Sequence, residues 1–271
     1  MYPNREVFPN APLALVAAEI RFTDAARLRQ QQTRDDIAIA LEDRFPFAEP
    51  LQQTNFNLAL GGGPPQVQER LGVVLKNASS TESLTIMSES LTYETTAYHS
   101  FEKLLEAVTA ACEALVEVKV RPAVQRVGLR YIDEVRVADT DTVTDVRQWS
   151  RWIDESLLAH LAVGPDDLPA TSTQTVSTYD LGEGRGLNFR CAALNQGTIV
   201  VPQHLKRAAV ESGPFFVLDF DGFRDFTGQD AVQLSADVVS DALSAVHVPC
   251  GAAFQRSIND EARTLFRGER S

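Results

Sequence analysis

The sequence predicts an α+β protein built from two similar halves, each a mainly antiparallel sheet covered by helices on one face, plus a C-terminal helix. Three observations predict it. Runs of several strands lie between helices, which argues against the strict strand–helix alternation of a doubly wound parallel sheet. A coarse pattern of strand, helix, several strands and long helix covers 13–118 and recurs over 124–247. The opening strands of the two stretches share a local core, Ile20-Arg21-Phe22 and Leu129-Arg130-Tyr131. A recurring unit of this size is the mark of matching bodies that join through shared surfaces. The expected boundaries are 1–121 for the N-terminal half, 122–248 for the C-terminal half and 249–271 for the closing helix. The two sheets are expected to merge into one curved surface.

The first half opens with a strand over 13–22, where Val16, Ala18, Ile20 and Phe22 alternate with Ala17, Glu19 and Arg21, a period of two with one apolar face. Thr33 with Asp36 in the first turn marks a helix start. That helix places Ile37, Ala40, Leu41 and Phe45 on one side and ends at Pro46. Strands are expected over 51–60, 70–76 and 84–96, with Gly61-Gly62-Gly63-Pro64-Pro65 as a flexible loop and Asn77-Ala78-Ser79-Ser80 as a turn. Ser100 is placed to cap a helix with the apolar stripe Phe101, Leu104, Leu105, Val108, Ala111, Cys112 and Leu115.

The second half opens at Val124, with Val127, Leu129 and Tyr131 alternating with Gly128 and Arg130. Thr144 is expected to cap a helix facing inward through Val146, Trp149, Ile153, Leu157 and Leu161, ended by Gly164-Pro165. Strands follow over 172–180, 186–194 and 215–221, the first two joined by a hairpin loop at 182–186. A helix over 230–246 carries Val232, Val239, Leu243 and Val246, and Pro249 and Gly251 interrupt it. A last helix over 252–266, with Phe254, Ile258, Ala262 and Leu265 inward, has no counterpart in the first half. It is expected to cap the assembly or dock on a partner.

Composition narrows the classes. The chain has 271 residues, 44% hydrophobic and 23% charged, an ordinary globular balance that argues against long disorder. The N-terminal residues lack a signal peptide's basic-then-apolar run, and no apolar stretch is long enough to span a bilayer. A cytoplasmic location and no membrane partner are expected. The three cysteines, Cys112, Cys191 and Cys250, are far apart and form no C-x-x-C pair, which favours reduced thiols. The net charge of −12 argues against nucleic-acid binding. It favours solubility and suits a basic protein partner; a homo-oligomer is compatible with it.

Candidate site residues fall in a few places. Arg21 and Arg130 occupy equivalent positions on equivalent strands, and guanidinium suits bidentate recognition of carboxylate or phosphate. The plainer alternative pairs each with an acid on a neighbouring strand, such as Glu19, Asp219 or Asp221. Asp219 and Asp221 share one side of a strand with Val217. Two such carboxylates can hold a metal or divide acid and base roles. With only Asp225 near as a third ligand, an ordinary polar strand face is the favoured reading, and no metal or cofactor is expected. The glycines at 182–186 lack a Walker Lys-Ser/Thr and precede a strand, so they read as a turn. His99, His160, His204 and His247 show no ligand spacing, and His99 and His247 read as helix-terminus residues. Trp152 and Phe254 are the candidate interface residues. Trp152 lies three positions from Trp149 and off the centre of the inward stripe, which suits an interface or the margin of the core.

Several short stretches carry a family resemblance: Pro12-Leu13-Ala14-Leu15-Val16 with Glu19-Ile20-Arg21-Phe22, Tyr98-His99-Ser100-Phe101-Glu102, and Arg126-Val127-Gly128-Leu129-Arg130-Tyr131-Ile132. Leu187-Asn188, Leu218-Asp219-Phe220-Asp221, and His247 with Phe254, Asp260 and Arg263 add to them. In this order they resemble a sporadically distributed, functionally uncharacterised bacterial family of roughly this length. One departure is Phe101, where the family more often has Trp. The resemblance assigns no catalytic residues. It implies genes that move horizontally, such as those of phage-defence or toxin–antitoxin loci.

The expectation that follows is a non-enzymatic binding or regulatory protein that neutralises or senses a partner in such a locus. The alternative is a small-ligand receptor or an enzyme acting on an anionic substrate through Arg21, Arg130 and Asp219 or Asp221.

Overall fold

The computed structural model describes residues 6–57, 66–137, 143–165, 167–228 and 230–269, with backbone alone over 53–57 and 66–69. The glycine-proline loop expected at 61–65 lies outside the described residues. The strands are β1 (Leu13–Phe22), β2 (Phe47–Asn57), β3 (Gln66–Lys76), β4 (Glu82–Met87), β5 (Ser90–Thr95), β6 (Val124–Val135), β7 (Thr173–Gly182), β8 (Arg185–Leu194) and β9 (Phe215–Asp225). They form one antiparallel sheet in the order β2-β3-β4-β5-β1-β6-β9-β8-β7. The helices are α1 (Gln31–Ala40), α2 (Phe101–Glu117), α3 (Ala236–Ser257) and α4 (Asp260–Arg267).

The expected α+β class therefore holds, and one continuous antiparallel sheet runs through both stretches. Alternation gives each central strand an apolar side. Val16, Ala18, Ile20 and Phe22 of β1, Val127, Leu129 and Tyr131 of β6, and Phe216, Leu218 and Phe220 of β9 share one core with α2 and α3. From α2 that core takes Leu104, Val108, Ala111 and Leu115, and from α3 it takes Val239, Leu243 and Val246. Ser100 caps α2 as expected, its hydroxyl accepting from the Lys103 amide at 3.2 Å.

Several boundaries differ from the sequence reading, each for a local reason. The stretch 84–96 is two strands, because the turn between β4 and β5 supplies carbonyls to other backbone: Glu89 accepts from the Phe22 amide and Ser88 from the Ala25 amide. The helix expected to start at Thr33 begins at Gln31, and Thr33 is buried inside it. The helix expected from Thr144 is three short 3₁₀ turns, Val146–Arg151, Glu155–Leu157 and Ala159–Val163. Trp152 leaves helical geometry, Ile153 bridges to Ile258, and Asp154 caps a new turn. The hairpin at 182–186 is present, with Glu183 and Gly184 both at positive φ (54° and 73°), as a type I′ turn requires.

The largest difference concerns Pro249. The helix runs unbroken through it from Ala236 to Ser257, and a separate short helix follows at Asp260. A proline inside a helix removes one hydrogen bond and costs about 3 kcal/mol. Packing offsets this. At Gly222 of β9 a Cβ would lie 2.7 Å from Cys250 Sγ and 3.1 Å from Val246 Cβ, so α3 rests almost directly on the sheet backbone there.

The second face of the sheet carries a strap, the segment 195–214 between β8 and β9. Leu205 is buried against Leu15 and Ile132 on that face. At its far side the Lys206 amide donates to the Ser80 carbonyl at 2.7 Å, and His204 Nε2 lies 3.1 Å from Ser83 Oγ. The strap thus crosses from β8 to the turn before β4.

Candidate functional site

The four site residues expected on the sheet do share one face, the strapped one, yet they do not form a joint anion grip. Arg21 pairs in register with Arg126, and Arg130 with Ala17. Four positions of register therefore separate them, about 13 Å at the strand rise. Each guanidinium is also engaged. Arg21 meets Glu19 at 2.8 Å. Arg130 holds Asp219 bidentately, with both contacts at 2.7 Å, and Arg190 reaches the same carboxylate at 3.3 Å. Asp221 lies 3.5 Å from Arg126 and accepts from Asn188 at 3.2 Å. These carboxylates are neutralised by neighbouring strands.

Of the two places expected for Trp152, an interface or the margin of the core, it occupies the second. Trp152 is buried and packs edge-on to Trp149, centroids 5.7 Å apart. Phe254 packs against Phe8, Phe220 and Phe266. Trp152 is covered because the turns at 146–157 and the end of α3 close on each other, with Asn259 donating its amide to the Trp152 carbonyl, while Phe254 is partly buried.

The helix-covered face holds a different feature, a cavity of about 360 Å³. Its floor is Leu13 of β1, Tyr131 and Asp133 of β6, and Phe220 of β9; its sides are the start of α2, the middle of α3 and the N-terminal segment from Glu6 to Ala11. A bulge in β1 at Ala14 brings Leu13 opposite Asp133, the kind of irregularity that re-aims side chains beside a site.

Two polar groups on the cavity floor and on α3 bear on its chemistry. Tyr131 Oη and His247 Nδ1 share a hydrogen bond of 2.9 Å, and the His247 ring stacks on Phe101 at 4.0 Å with the planes 4° apart. His247, expected at a helix end, is in the interior of α3 because that helix continues through Pro249. The second group is Asp133, whose residue is 2% exposed. Among the described residues none hydrogen-bonds to or ion-pairs with its carboxyl. Burial, with Asp219 nearby, pushes that carboxyl well above the usual carboxylate range. Cys250 also lines the cavity, but burial drives its thiol up to about 12, so it is no thiolate nucleophile.

The fourth helix has a clear structural role here. Arg267 pairs with the Glu6 carboxylate through Nε at 2.5 Å, Arg263 reaches it at 3.4 Å, and the Gln255 amide donates to the Glu6 carbonyl at 2.9 Å. These contacts fasten the segment that forms one wall of the cavity. Asp133 was legible in the sequence by one signal: it continues the alternation of Val127, Leu129 and Tyr131, so an acid falls on the apolar side of the strand.

Among the described residues, no helix is long and apolar enough to cross a membrane, and no three His, Cys, Asp or Glu residues gather as metal ligands would. In comparisons with known proteins, no family model matches the chain and no curated protein is similar to it.

Proposed function

We propose that the protein is a small-ligand receptor, a binding or sensing protein whose ligand occupies the cavity between α2, α3 and the sheet. One observation carries this reading: a buried carboxyl with no partner among the described residues lines a cavity of ligand size. A folded chain does not keep an unpaired buried acid cheaply, since the cost is several kcal/mol for a charge. Such groups persist where they serve a site. The other groups favour binding over catalysis. Cys250 is held as a thiol, and His247 is engaged by Tyr131 and Phe101.

The anionic-substrate alternative loses support from the pairing and separation of Arg21 and Arg130. The partner-docking expectation likewise draws nothing from Trp152 and Phe254. The defence-locus role rests on the family resemblance alone.

The duplicated-halves reading belongs here too. From the sheet centre outward one side runs β1, β5, β4, β3, β2 and the other β6, β9, β8, β7. Each half sends its last strand back beside its first and then enters a long helix. That order supports two copies, with β2 as an addition to the first; on that reading the cavity lies at the seam between them.

The test is native mass spectrometry of protein purified from its own host, compared with a Gly251→Leu variant that fills the cavity. A small-molecule adduct on the wild type that the variant lacks is the expected result. No adduct on either, together with unchanged thermal stability when small-molecule extracts of the host are added, overturns the reading.

A further inference from the structure

The cavity's lining allows the ligand's chemistry to be narrowed; the step rests on the receptor reading above. Charge comes first. Among the described residues the lining contains two acids, Asp133 and Glu6, and neither lysine nor arginine. Glu6 is already held by Arg267 and Arg263. Asp133 is left as the one carboxyl of the lining whose counter-charge the described chain does not supply. Shape and polarity come next. Aromatic side chains share its cavity: Phe8, Tyr98, Phe101, Tyr131, Phe220 and Phe254 all line the same space. Rings around a carboxyl are the recurrent setting in which proteins hold ammonium groups, through the ring quadrupoles and the ion pair together. An anion is disfavoured there, because it would face a buried carboxyl with no lysine or arginine beside it among the described residues.

We propose that the ligand is a small organic cation, an amine or alkylammonium, whose charge sits against the Asp133 carboxylate and whose carbon skeleton packs on the aromatic lining. The other face of the sheet supplies the contrast. There Asp219 receives two guanidiniums from neighbouring strands. The fold is therefore able to pair a strand carboxylate with arginine, and among the described residues no arginine does so at Asp133.

The experiment uses three probes of one shape and different charge: 2-phenylethylamine, 2-phenylethanol and phenylacetate. Binding to the full chain is measured by calorimetry at neutral pH, and again with Asp133→Asn and Gly251→Leu. The amine is expected to bind at least about tenfold more tightly than the alcohol, a difference of about 1.4 kcal/mol, and phenylacetate is expected not to bind. Asp133→Asn should abolish that preference while leaving the alcohol's affinity within about twofold, and Gly251→Leu should weaken every probe that binds. Equal binding of amine and alcohol to the wild type, or a preference for phenylacetate, overturns the cation proposal. If those probes are still lost with Gly251→Leu, the receptor reading survives. If no probe binds the wild type, or if Gly251→Leu changes none of them, both fail. The wild-type comparison decides the charge question even if Asp133→Asn does not fold.

Discussion

Asp133 and Glu134 are neighbours in one strand, both buried, and their fates are opposite. Alternation turns Glu134 to the strapped face and Asp133 to the helix face. Glu134 accepts from Arg136 at 2.6 Å, Arg207 at 2.6 Å, the Ile199 amide at 2.8 Å and Thr198 at 3.1 Å. Burial alone would raise its carboxyl; the Ile199 amide, Arg207 and Arg136 outweigh that and hold it below the ordinary glutamate value. Asp133 has burial, with Asp219 nearby and no donor among the described residues, and moves the other way. Burial is common to both, so the number of donors the fold delivers decides the outcome. On the strapped face a carboxylate serves as a structural anchor for 195–214. On the helix face it is left for something else.

The comparison breaks first at Glu134. Glu134→Ala strips the acid from two arginines whose side chains are only 15% exposed. Removing one partner of a buried pair leaves uncompensated charge and costs about 3–5 kcal/mol. Denaturant unfolding should show that loss, and amide exchange over 195–214 should accelerate with it. A loss under about 1 kcal/mol would mean that the strap is held by Leu205 and its apolar neighbours, and that the four donors contribute little.

The next effect has the opposite sign. Asp133→Asn removes an acid whose ionisation burial opposes, and at pH 8 it should stabilise the protein by about 1–3 kcal/mol. The pH dependence gives the cause. A carboxyl raised in the folded state stabilises fully below its unfolded pKa, about 3.9. That stability is lost as pH rises through the raised folded value, by at most about 1.4 kcal/mol per pH unit. Glu134, lowered in the folded state, contributes above its unfolded pKa and loses that contribution as pH falls through its folded value. Wild-type minus Asp133→Asn stability, measured by urea unfolding from pH 4 to 9, should therefore decline with pH. A flat difference would show that Asp133 ionises in the fold as freely as in the open chain.

Much of the frame was legible before any coordinates. The alternation in β1 and β6 and the stripe behind Ser100 are long, regular patterns, and each matches the element observed. What failed was set by contacts distant in sequence. Pro249 reads as a break because its local cost is real, yet α3 lies so close over Gly222 that packing carries the helix through. Trp149 and Ile153 have helical spacing, but Ile153 is drawn into a bridge with Ile258. The strap has no periodicity, since its bonds run to Ser80, Ser83 and Glu134 on three other parts of the chain. The arginines on the sheet were visible as a pair, while their register, which keeps them apart, was not. Asp133 carried the one site signal within reach of sequence, an acid where the alternation demands an apolar residue.

The smallest expected effect separates two explanations of Asp133. Tyr131 is two positions before it, on the same face, and shares its hydroxyl with His247. Tyr131→Phe removes that bond and keeps the ring, so the Tyr98 edge contact at 5.7 Å persists. The loss should be about 0.5–1.5 kcal/mol, or roughly 2–5 °C in Tm for a chain of this size. His247 stays seated on Phe101. If desolvation alone raises the Asp133 carboxyl, the decline of stability with pH should survive the substitution unchanged. If the decline disappears, the tyrosine–histidine couple is what keeps the proton on Asp133. The contrast with Glu134 would then rest on that couple and not on missing donors.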